Sequence, residues 1–209
     1  MARYIEPSCR LCRREKQKLF LKGTKCFTEK CPVEKRNFPP GHHGSVRRVK
    51  VSEYGMQLRE KQKVRRTYGL LEAQFRTYFD RALKQTGRTG ETLVKLLERR
   101  LDNVIYRLGL APSRKAARQL VHHRHFMVNS KIVDVPSHLL SPGDVVQVRD
   151  RSKKLEVIHS SMKRMRDSAM LPWLSLDKAN LTGTFLNVPD RVDVPLNANE
   201  QLIVELYSK

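Results

Sequence analysis

The sequence is 209 residues long and carries 42 lysine and arginine side chains against 21 aspartate and glutamate, a formal net charge of +21. Apolar residues make up 39% of it and charged residues 30%, which favours one or two modest domains over one large catalytic domain. No stretch approaches the roughly 18 apolar residues of a membrane-spanning helix, and the first residues lack a signal-peptide layout. We therefore expect an intracellular, soluble protein.

The positive charge is concentrated in the first 170 residues. Residues 1–70 have a net charge of +13 and residues 71–170 one of +10, whereas residues 171–209 have a net charge of −2. So large a surplus repels itself in the free protein and releases counterions when it neutralises phosphates. The composition therefore favours a nucleic acid as the partner, and charge alone does not separate RNA from DNA.

All four cysteines lie near the amino terminus, in the spacing C-x2-C-x13-C-x4-C. In an intracellular chain this clustering favours metal binding over disulfides. Because two close pairs of thiolates can meet at one tetrahedral ion, we expect Cys9, Cys12, Cys26 and Cys31 to bind one structural Zn²⁺, with an iron–sulfur cluster as the alternative. Four sulfur ligands leave no open position for a substrate, so we expect no catalysis there.

A loop and then a basic helix are predicted after the cysteines. Two prolines and two glycines at 39–44 exclude a helix and indicate a boundary. Ser52 is a suitable N-cap for a helix that runs to about Arg66, with a thin apolar stripe at Tyr54, Leu58 and Val64. The other faces of this helix are basic.

Two longer helices are predicted next. Apolar residues recur at helical spacing from 71 to 83, and Gly87 and Gly90 are predicted to end that helix. Leucines and valines then recur from 93 to 108 and predict one continuous helix that ends before Gly109. A short fourth helix is predicted over 114–122, with Ser113 as its cap.

Beyond residue 125 the pattern changes to that of strands. Residues 126–128 and 132–133 flank Asn129 and Ser130, a two-residue linker suited to a hairpin turn with positive φ. Another turn at 141–144 precedes a strand at 145–148. Residues 151–170 are expected to be partly helical and 173–195 to hold short strands, whereas 199–209 fits a helix or a strand. The fold class is therefore predicted to be α+β.

Several of these segments resemble a known RNA-binding domain, the one named after ribosomal protein S4. The resemblance rests on the runs RRLDNVIYRLG at 99–109, SRKAARQLV at 113–121, VN at 128–129 and SPGD at 141–144. The cysteine spacing, PPGHHG at 39–44, LREKQK at 58–63 and WL at 173–174 resemble the bacterial S4 family of the small ribosomal subunit. The likeness extends over nearly the whole chain.

The resemblance implies a structural, non-enzymatic protein of the cytoplasmic small ribosomal subunit. It implies primary binding to the 5′ domain of 16S ribosomal RNA, nucleation of subunit assembly, a contribution to translational accuracy and, in some bacteria, repression of the protein's own translation. The implied neighbours are the S5 protein and messenger RNA where it enters the ribosome, with no membrane and no DNA. An RNA-modifying enzyme with the same module is the main alternative, and a DNA-binding regulator is another.

The predicted organisation has four parts. Residues 1–44 form the metal knuckle and loop, 45–98 a helical domain on which 197–209 packs, 99–162 the S4-type RNA-binding domain of two helices followed by a small antiparallel sheet, and 163–196 the rest of the α/β part. No catalytic residue is predicted. The residues predicted to face RNA are Arg47, Arg48, Lys50, Arg59, Lys61, Lys63, Arg65, Arg66, Arg100, Arg114, Lys115, Arg118, His122 and His123.

Overall fold

A computed structural model describes residues 4–45, 50–164 and 170–208. The chain divides into two compact units: unit 1 consists of Met1–Leu93 and Leu196–Lys209, and unit 2 of Val94–Pro195. In the described parts of the chain, no helix combines the length and the apolar character needed to cross a membrane.

The secondary structure of the described residues is mixed α and β, as predicted. In chain order the elements are α1 (Ser8–Glu15), a 3₁₀ turn (Gly23–Phe27), α2 (Pro32–Lys35), α3 (Glu53–Thr67), α4 (Glu72–Leu83), α5 (Thr89–Glu98), α6 (Leu101–Arg107), α7 (Arg114–His122), β1 (Phe126–Val128), β2 (Lys131–Ile132), β3 (Val145–Val148), a second 3₁₀ turn (Asp150–Ser152), α8 (Glu156–Met162), β4 (Leu174–Asp177), β5 (Thr182–Phe185) and α9 (Glu200–Tyr207).

Helix α3 begins and ends where the sequence predicts. The hydroxyl of Ser52 accepts a hydrogen bond from the backbone N–H of Gly55 (3.1 Å) and so caps the first turn. The predicted apolar stripe is only partly correct: Val64 is fully buried, but Tyr54 is exposed. Gln57 and Lys61 are buried on this helix in addition to Val64, so α3 packs with a face that is partly polar.

Helix α9 explains that polar face. Asn199 caps α9 through its side chain, and the segment that sequence left open between helix and strand is a helix. It packs against α3, where the amide Nε2 of Gln57 donates to a Glu205 carboxylate oxygen at 3.2 Å. Tyr207 stacks on Phe79, with ring centroids 4.4 Å apart. The last helix thus completes the core of unit 1 through both ring stacking and polar contacts.

The continuous helix predicted over 93–108 is wrong, because two helices occupy it. Arg100 is extended between α5 and α6, with φ −65° and ψ 136°, and it forms an antiparallel bridge with Leu139. The N–H of Leu101 donates to a backbone carbonyl at 138 over 2.9 Å. These bonds to a distant segment replace helical ones, so the apolar period continues while the helix breaks. Gly90, predicted to end the preceding helix, lies inside α5.

Unit 2 contains a five-stranded sheet in the order β2-β1-β3-β5-β4, with every neighbouring pair antiparallel. The predicted hairpin is confirmed: Asn129 and Ser130 have φ of 49° and 66°, and Val128 pairs with Lys131. Helices α6 and α7 pack against each other. A Cβ at Gly183 of β5 would lie 2.4 Å from Leu108, which shows how closely the sheet approaches the residue that follows α6.

Candidate functional site

The four cysteines lie in a small folded segment of unit 1. Cys12 and Cys31 pack with Leu19, Leu21 and Val33 in a local apolar cluster. Cys26 is also buried, Cys9 is half-buried, and all four thiols are free. Burial raises the pKa of Cys12 to about 11, and the neighbouring thiols of the other three cysteines act in the same direction. The other three cysteines therefore lie close enough to Cys12 to affect its thiol.

The sulfur atoms do not form a closed ligand set. Within residues 4–45, 50–164 and 170–208, no group of three or more histidine, cysteine, aspartate or glutamate side chains has a metal-holding arrangement. The donor chemistry nevertheless fits a thiophilic ion, because three sulfurs are buried and the Sγ of Cys26 already accepts the backbone N–H of Lys22 at 3.4 Å. Binding by all four sulfurs would require them to draw together.

A buried carboxylate connects the cysteine segment to α3. The side chain of Glu15, at the end of α1, is 1% exposed and pairs with Arg59 (3.3 Å) and with Arg66. Burial raises the pKa of Glu15, opposed first by the charge of Arg66 and then by that of Arg59. Two of the predicted RNA-facing arginines therefore contribute to this internal contact.

The remaining predicted residues in or near α3 differ in their surroundings. Lys61 is buried, and its ammonium lies 2.5 Å from Oε1 of Glu72. Arg65 is 3.5 Å from the same carboxylate. The structure pairs Lys63 with Glu60 and leaves Lys50 exposed. Arg47 and Arg48 lie outside the described residues.

The predicted residues Arg100 and Arg118 of unit 2 are directed inward. Arg100 is 1% exposed, and its Nη2 lies 2.7 Å from Oδ2 of Asp102. Nη1 of Arg118 is 4.0 Å from the same oxygen, and Arg118 is 9% exposed. Arg118, which the sequence predicts to face RNA, is therefore buried on the inner side of α7, where it lies near the carboxylate in the first turn of α6.

A second polar network positions Arg114 at the start of α7. The side chain of Asn103 donates to a carboxylate oxygen of Glu98 (2.7 Å), while its Oδ1 accepts the Nε–H of Arg114 (2.8 Å). Arg107 forms a two-bond ion pair with Glu98, at 3.1 and 2.6 Å. The Arg114 guanidinium lies over the ring of Tyr106, 4.5 Å from its centroid. The network holds a half-buried guanidinium in one orientation.

The polar residues of this network were not predicted. Glu98 and Asn103 are buried at the junction of α5 and α6, and Tyr106 is half-buried on α6. The sequence did contain a signal for this network, because a glutamate and an asparagine lie within an otherwise apolar helical pattern. Buried polar side chains require specific partners.

Two predicted histidines and a lysine complete the surface of α7. Lys115 is half-buried, and His122 and His123 are exposed at the end of the helix. His125 bonds through Nδ1 to the hydroxyl of Ser152 at 2.8 Å, and burial lowers its pKa, as do the charges of His123 and Arg149. Helix α7 thus carries an ordered arginine at one end and exposed imidazoles at the other.

Such a surface suits a phosphate backbone. An arginine whose guanidinium is held in one orientation can make forked bonds to phosphate oxygens or stack on a base. Ser113, the N-cap of α7, accepts the N–H of Ala116 at 3.2 Å and fixes the first turn that carries Arg114. Exposed imidazoles and lysine chains add further donors. The arrangement offers positively charged contacts without a nucleophile or a general base pair.

Comparisons with known proteins cover the whole chain. The family described as ribosomal protein S4/S9 N-terminal domain matches residues 3–98, and the S4 domain matches residues 99–146. The small ribosomal subunit proteins uS4 of Syntrophobacter fumaroxidans and Magnetococcus marinus are each 56% identical to this chain over 209 residues, which is 100% of both chains. The uS4 protein of Thermodesulfovibrio yellowstonii is 54% identical over the same span.

Proposed function

The chain belongs to the uS4 family of small ribosomal subunit proteins, and from this membership we propose that it binds ribosomal RNA as a structural component of the small subunit in the cytoplasm. The role is one of holding RNA and not of catalysis. The carrying observation is the Arg114 guanidinium, fixed by Asn103 and stacked over Tyr106 at the start of α7.

The order of this guanidinium matters for affinity. A mobile arginine loses side-chain entropy when it binds phosphate, whereas a side chain that is already held by a hydrogen bond and a ring loses less. RNA recognition relies on shape, phosphate contacts and stacking more than on base edges in a helix. We therefore place the main RNA contacts on α7, with Arg114, Lys115, His122 and His123.

Binding to RNA fragments tests the proposal. The full-length protein would be titrated with a 5′-domain fragment of 16S ribosomal RNA, against random RNA and duplex DNA as competitors, over a series of salt concentrations. We expect specific binding that survives competition, and Arg114→Ala to weaken it by about tenfold, the value of one good contact of roughly 1–3 kcal/mol. Arg124→Ala is the matched control, because Arg124 is 65% exposed and pairs with Asp134 in the same unit.

Two results would contradict the proposal. Equal affinity for all three nucleic acids would mean that the interaction reflects only net charge. A preference for duplex DNA would favour the regulator alternative. The RNA-modifying alternative has less support, because the relatives matched over their full lengths are named as ribosomal proteins.

We propose finer roles on the strength of family resemblance. These are primary binding in the 5′ domain that nucleates assembly, contact with the S5 protein, proximity to messenger RNA, an influence on accuracy and control of the protein's own translation. Reconstitution of small subunits with and without the protein tests the assembly role. Normal assembly of small subunits without the protein would contradict the assembly role.

We also propose one structural Zn²⁺ at Cys9, Cys12, Cys26 and Cys31, with an iron–sulfur cluster as the alternative. Three buried, free thiols support it, and two of them, those of Cys12 and Cys31, lie in one local apolar cluster. When bound, the ion would cross-link two loops of a segment that has only a small apolar cluster. Elemental analysis and visible absorption distinguish the two groups, and protein that carries neither would refute the proposal.

A further inference from the structure

Two phenylalanine rings of the cysteine segment meet at the protein surface. The ring centroids of Phe20 and Phe27 are 5.1 Å apart, and their planes are inclined by 31°. Phe27 is 71% exposed and Phe20 is 37% exposed. Neither ring belongs to the local apolar cluster around Cys12. Large exposed rings in contact with each other indicate a surface that acquires a partner.

The backbone is shaped so that Phe20 points outward. Leu19 and Leu21 are buried at 4% and 7% exposure, and Phe20 between them has φ 51°. A residue with a bulky side chain rarely adopts this left-handed conformation, which costs free energy. The segment therefore maintains a strained backbone in order to bury both leucines and expose the ring.

Phe27 is held in position by the neighbouring turn. It is the last residue of the 3₁₀ turn Gly23–Phe27, in which Gly23 has φ 70°. The N–H of Lys22 donates to Sγ of Cys26 at 3.4 Å and closes this turn. The Phe27 ring thus projects from a defined turn, and the Phe20 ring lies beside the Phe27 ring.

The charge around the rings selects the class of partner. Residues 16–30 contain five lysines and a single acidic residue. Lys22, Lys25 and Lys30 are exposed, whereas Lys18 pairs with Glu34 at 2.5 Å. A flat apolar surface within a positive field matches an unpaired nucleotide, which has both a π face and a phosphate.

We propose that Phe27, supported by Phe20, stacks on an unpaired base of the RNA that the protein binds. This inference rests on the proposed function and adds a second contact region, on unit 1, to the one on α7. Stacking of this kind tolerates any base, because each base has a π face. The lysines of the same segment supply the accompanying phosphate contacts.

The test compares ring, aliphatic and truncated side chains at residue 27. Full-length wild type, Phe27→Tyr, Phe27→Leu and Phe27→Ala would be titrated with the 5′-domain fragment of 16S ribosomal RNA over a salt series. We expect Phe27→Ala and Phe27→Leu to bind about 5- to 100-fold more weakly, and Phe27→Tyr to bind like wild type. The slope of log affinity against log salt is expected to stay unchanged, because stacking releases no counterions.

Ile5→Ala is the matched control, since Ile5 is 84% exposed in the same segment but lies outside the ring pair. Chemical probing of the RNA should show one unpaired nucleotide that loses protection with Phe27→Ala and not with Ile5→Ala. Wild-type affinity for Phe27→Ala, or equal losses for Phe27→Tyr and Phe27→Ala, would overturn the stacking role and leave the proposed function intact. Failure of the wild type to prefer the fragment over random RNA would overturn both.

Discussion

Nη2 of Arg100 lies 2.7 Å from Oδ2 of Asp102, and both side chains are almost completely buried. A second bond joins Nε of Arg100 to Oδ1 of Asp102 at 3.0 Å, so the guanidinium and the carboxylate form an ion pair with two hydrogen bonds. Arg118 approaches the same carboxylate. One buried aspartate therefore lies within ion-pair distance of two arginines inside the S4-type domain, and it links the start of α6 to α7.

Replacing Asp102 should strongly destabilise unit 2. Asp102→Asn removes the negative charge that pairs with the buried Arg100, and breaking a buried ion pair costs about 3–5 kcal/mol in the free energy of unfolding. Denaturant unfolding of both proteins measures the difference. Asp134→Asn is the control, because its ion pair with Arg124 is exposed and contributes less than about 1 kcal/mol. Equal stability losses for the two variants would contradict the prediction.

Arg118→Ala should reduce the stability of the protein more than its affinity for RNA. Arg118 is 9% exposed and lies near Asp102, so truncation removes buried packing and part of the charge compensation. We expect a loss of about 1–3 kcal/mol in unfolding free energy. RNA affinity measured well below the melting temperature should stay within about threefold of wild type, a difference of only ~0.6 kcal/mol. A large loss of affinity with native stability would instead make Arg118 a direct contact.

The contacts of Glu72 should weaken in acid, because its carboxylate pairs with Lys61 of α3 and accepts a hydrogen bond from the hydroxyl of Tyr207 of α9 at 3.0 Å. Burial acts to raise the pKa of Glu72, but its hydrogen bonds with Lys61 and Tyr207 and the charges of Lys61 and Arg65 together outweigh burial and hold the pKa below the ordinary 4.5. Because the folded pKa is depressed, the pair stabilises the protein above the unfolded pKa. That stabilisation disappears as the pH falls through the folded pKa.

The measurement is thermal unfolding of wild type and Glu72→Gln between pH 7 and pH 3. Glu72 is 47% exposed, so the loss at neutral pH should be below about 1 kcal/mol. The two curves should converge in acid. A difference that persists unchanged at pH 3 would show that the charge of Glu72 contributes nothing. Glu53→Gln, a change to an exposed glutamate on α3, controls for general loss of negative charge.

Ser130→Gly should stabilise the β1–β2 hairpin. Ser130 has φ 66°, in the left-handed region where a side chain costs about 1 kcal/mol and glycine does not. We expect a gain of about 0.5–1 kcal/mol in unfolding free energy, reduced by the greater freedom of glycine in the unfolded chain. The same change at Ser175 of β4, an exposed strand position, should destabilise. Destabilisation by Ser130→Gly would contradict the turn geometry.

Local signals predicted the elements that depend on nearby residues. Ser113 predicts the start of α7 because its hydroxyl can reach the N–H three residues later, and the structure contains that bond. Asn129 and Ser130 predict the hairpin because they form a two-residue linker between two strand-like segments, and both have positive φ in the structure. Each prediction needs only a few consecutive residues, and each is confirmed.

Long-range contacts produced the features that sequence could not predict. The sequence pattern includes Arg100 as one more position of a continuous helix, but its bridge to Leu139 and the neighbouring backbone bonds to residues 136–140 separate α5 from α6. The inward direction of Arg118 depends on Asp102 in another helix. A basic residue looks the same in sequence whether its partner is solvent, phosphate or a buried carboxylate. The RNA contacts that we propose on α7 therefore include fewer residues than the sequence predicts to face RNA. These contacts remain a prediction.

The discontinuous composition of unit 1 has a consequence for the order of folding during synthesis. Helix α9 is translated after all of unit 2. The polar face of α3 therefore remains without α9 while Val94–Pro195, about a hundred residues, is synthesised. In that interval Gln57 and Lys61 lack their contacts with Glu205 and the Tyr207 ring. Unit 2 contains its own sheet and helices and is not subject to this delay. A nascent chain can therefore present Arg114 on a finished α7 before unit 1 has closed.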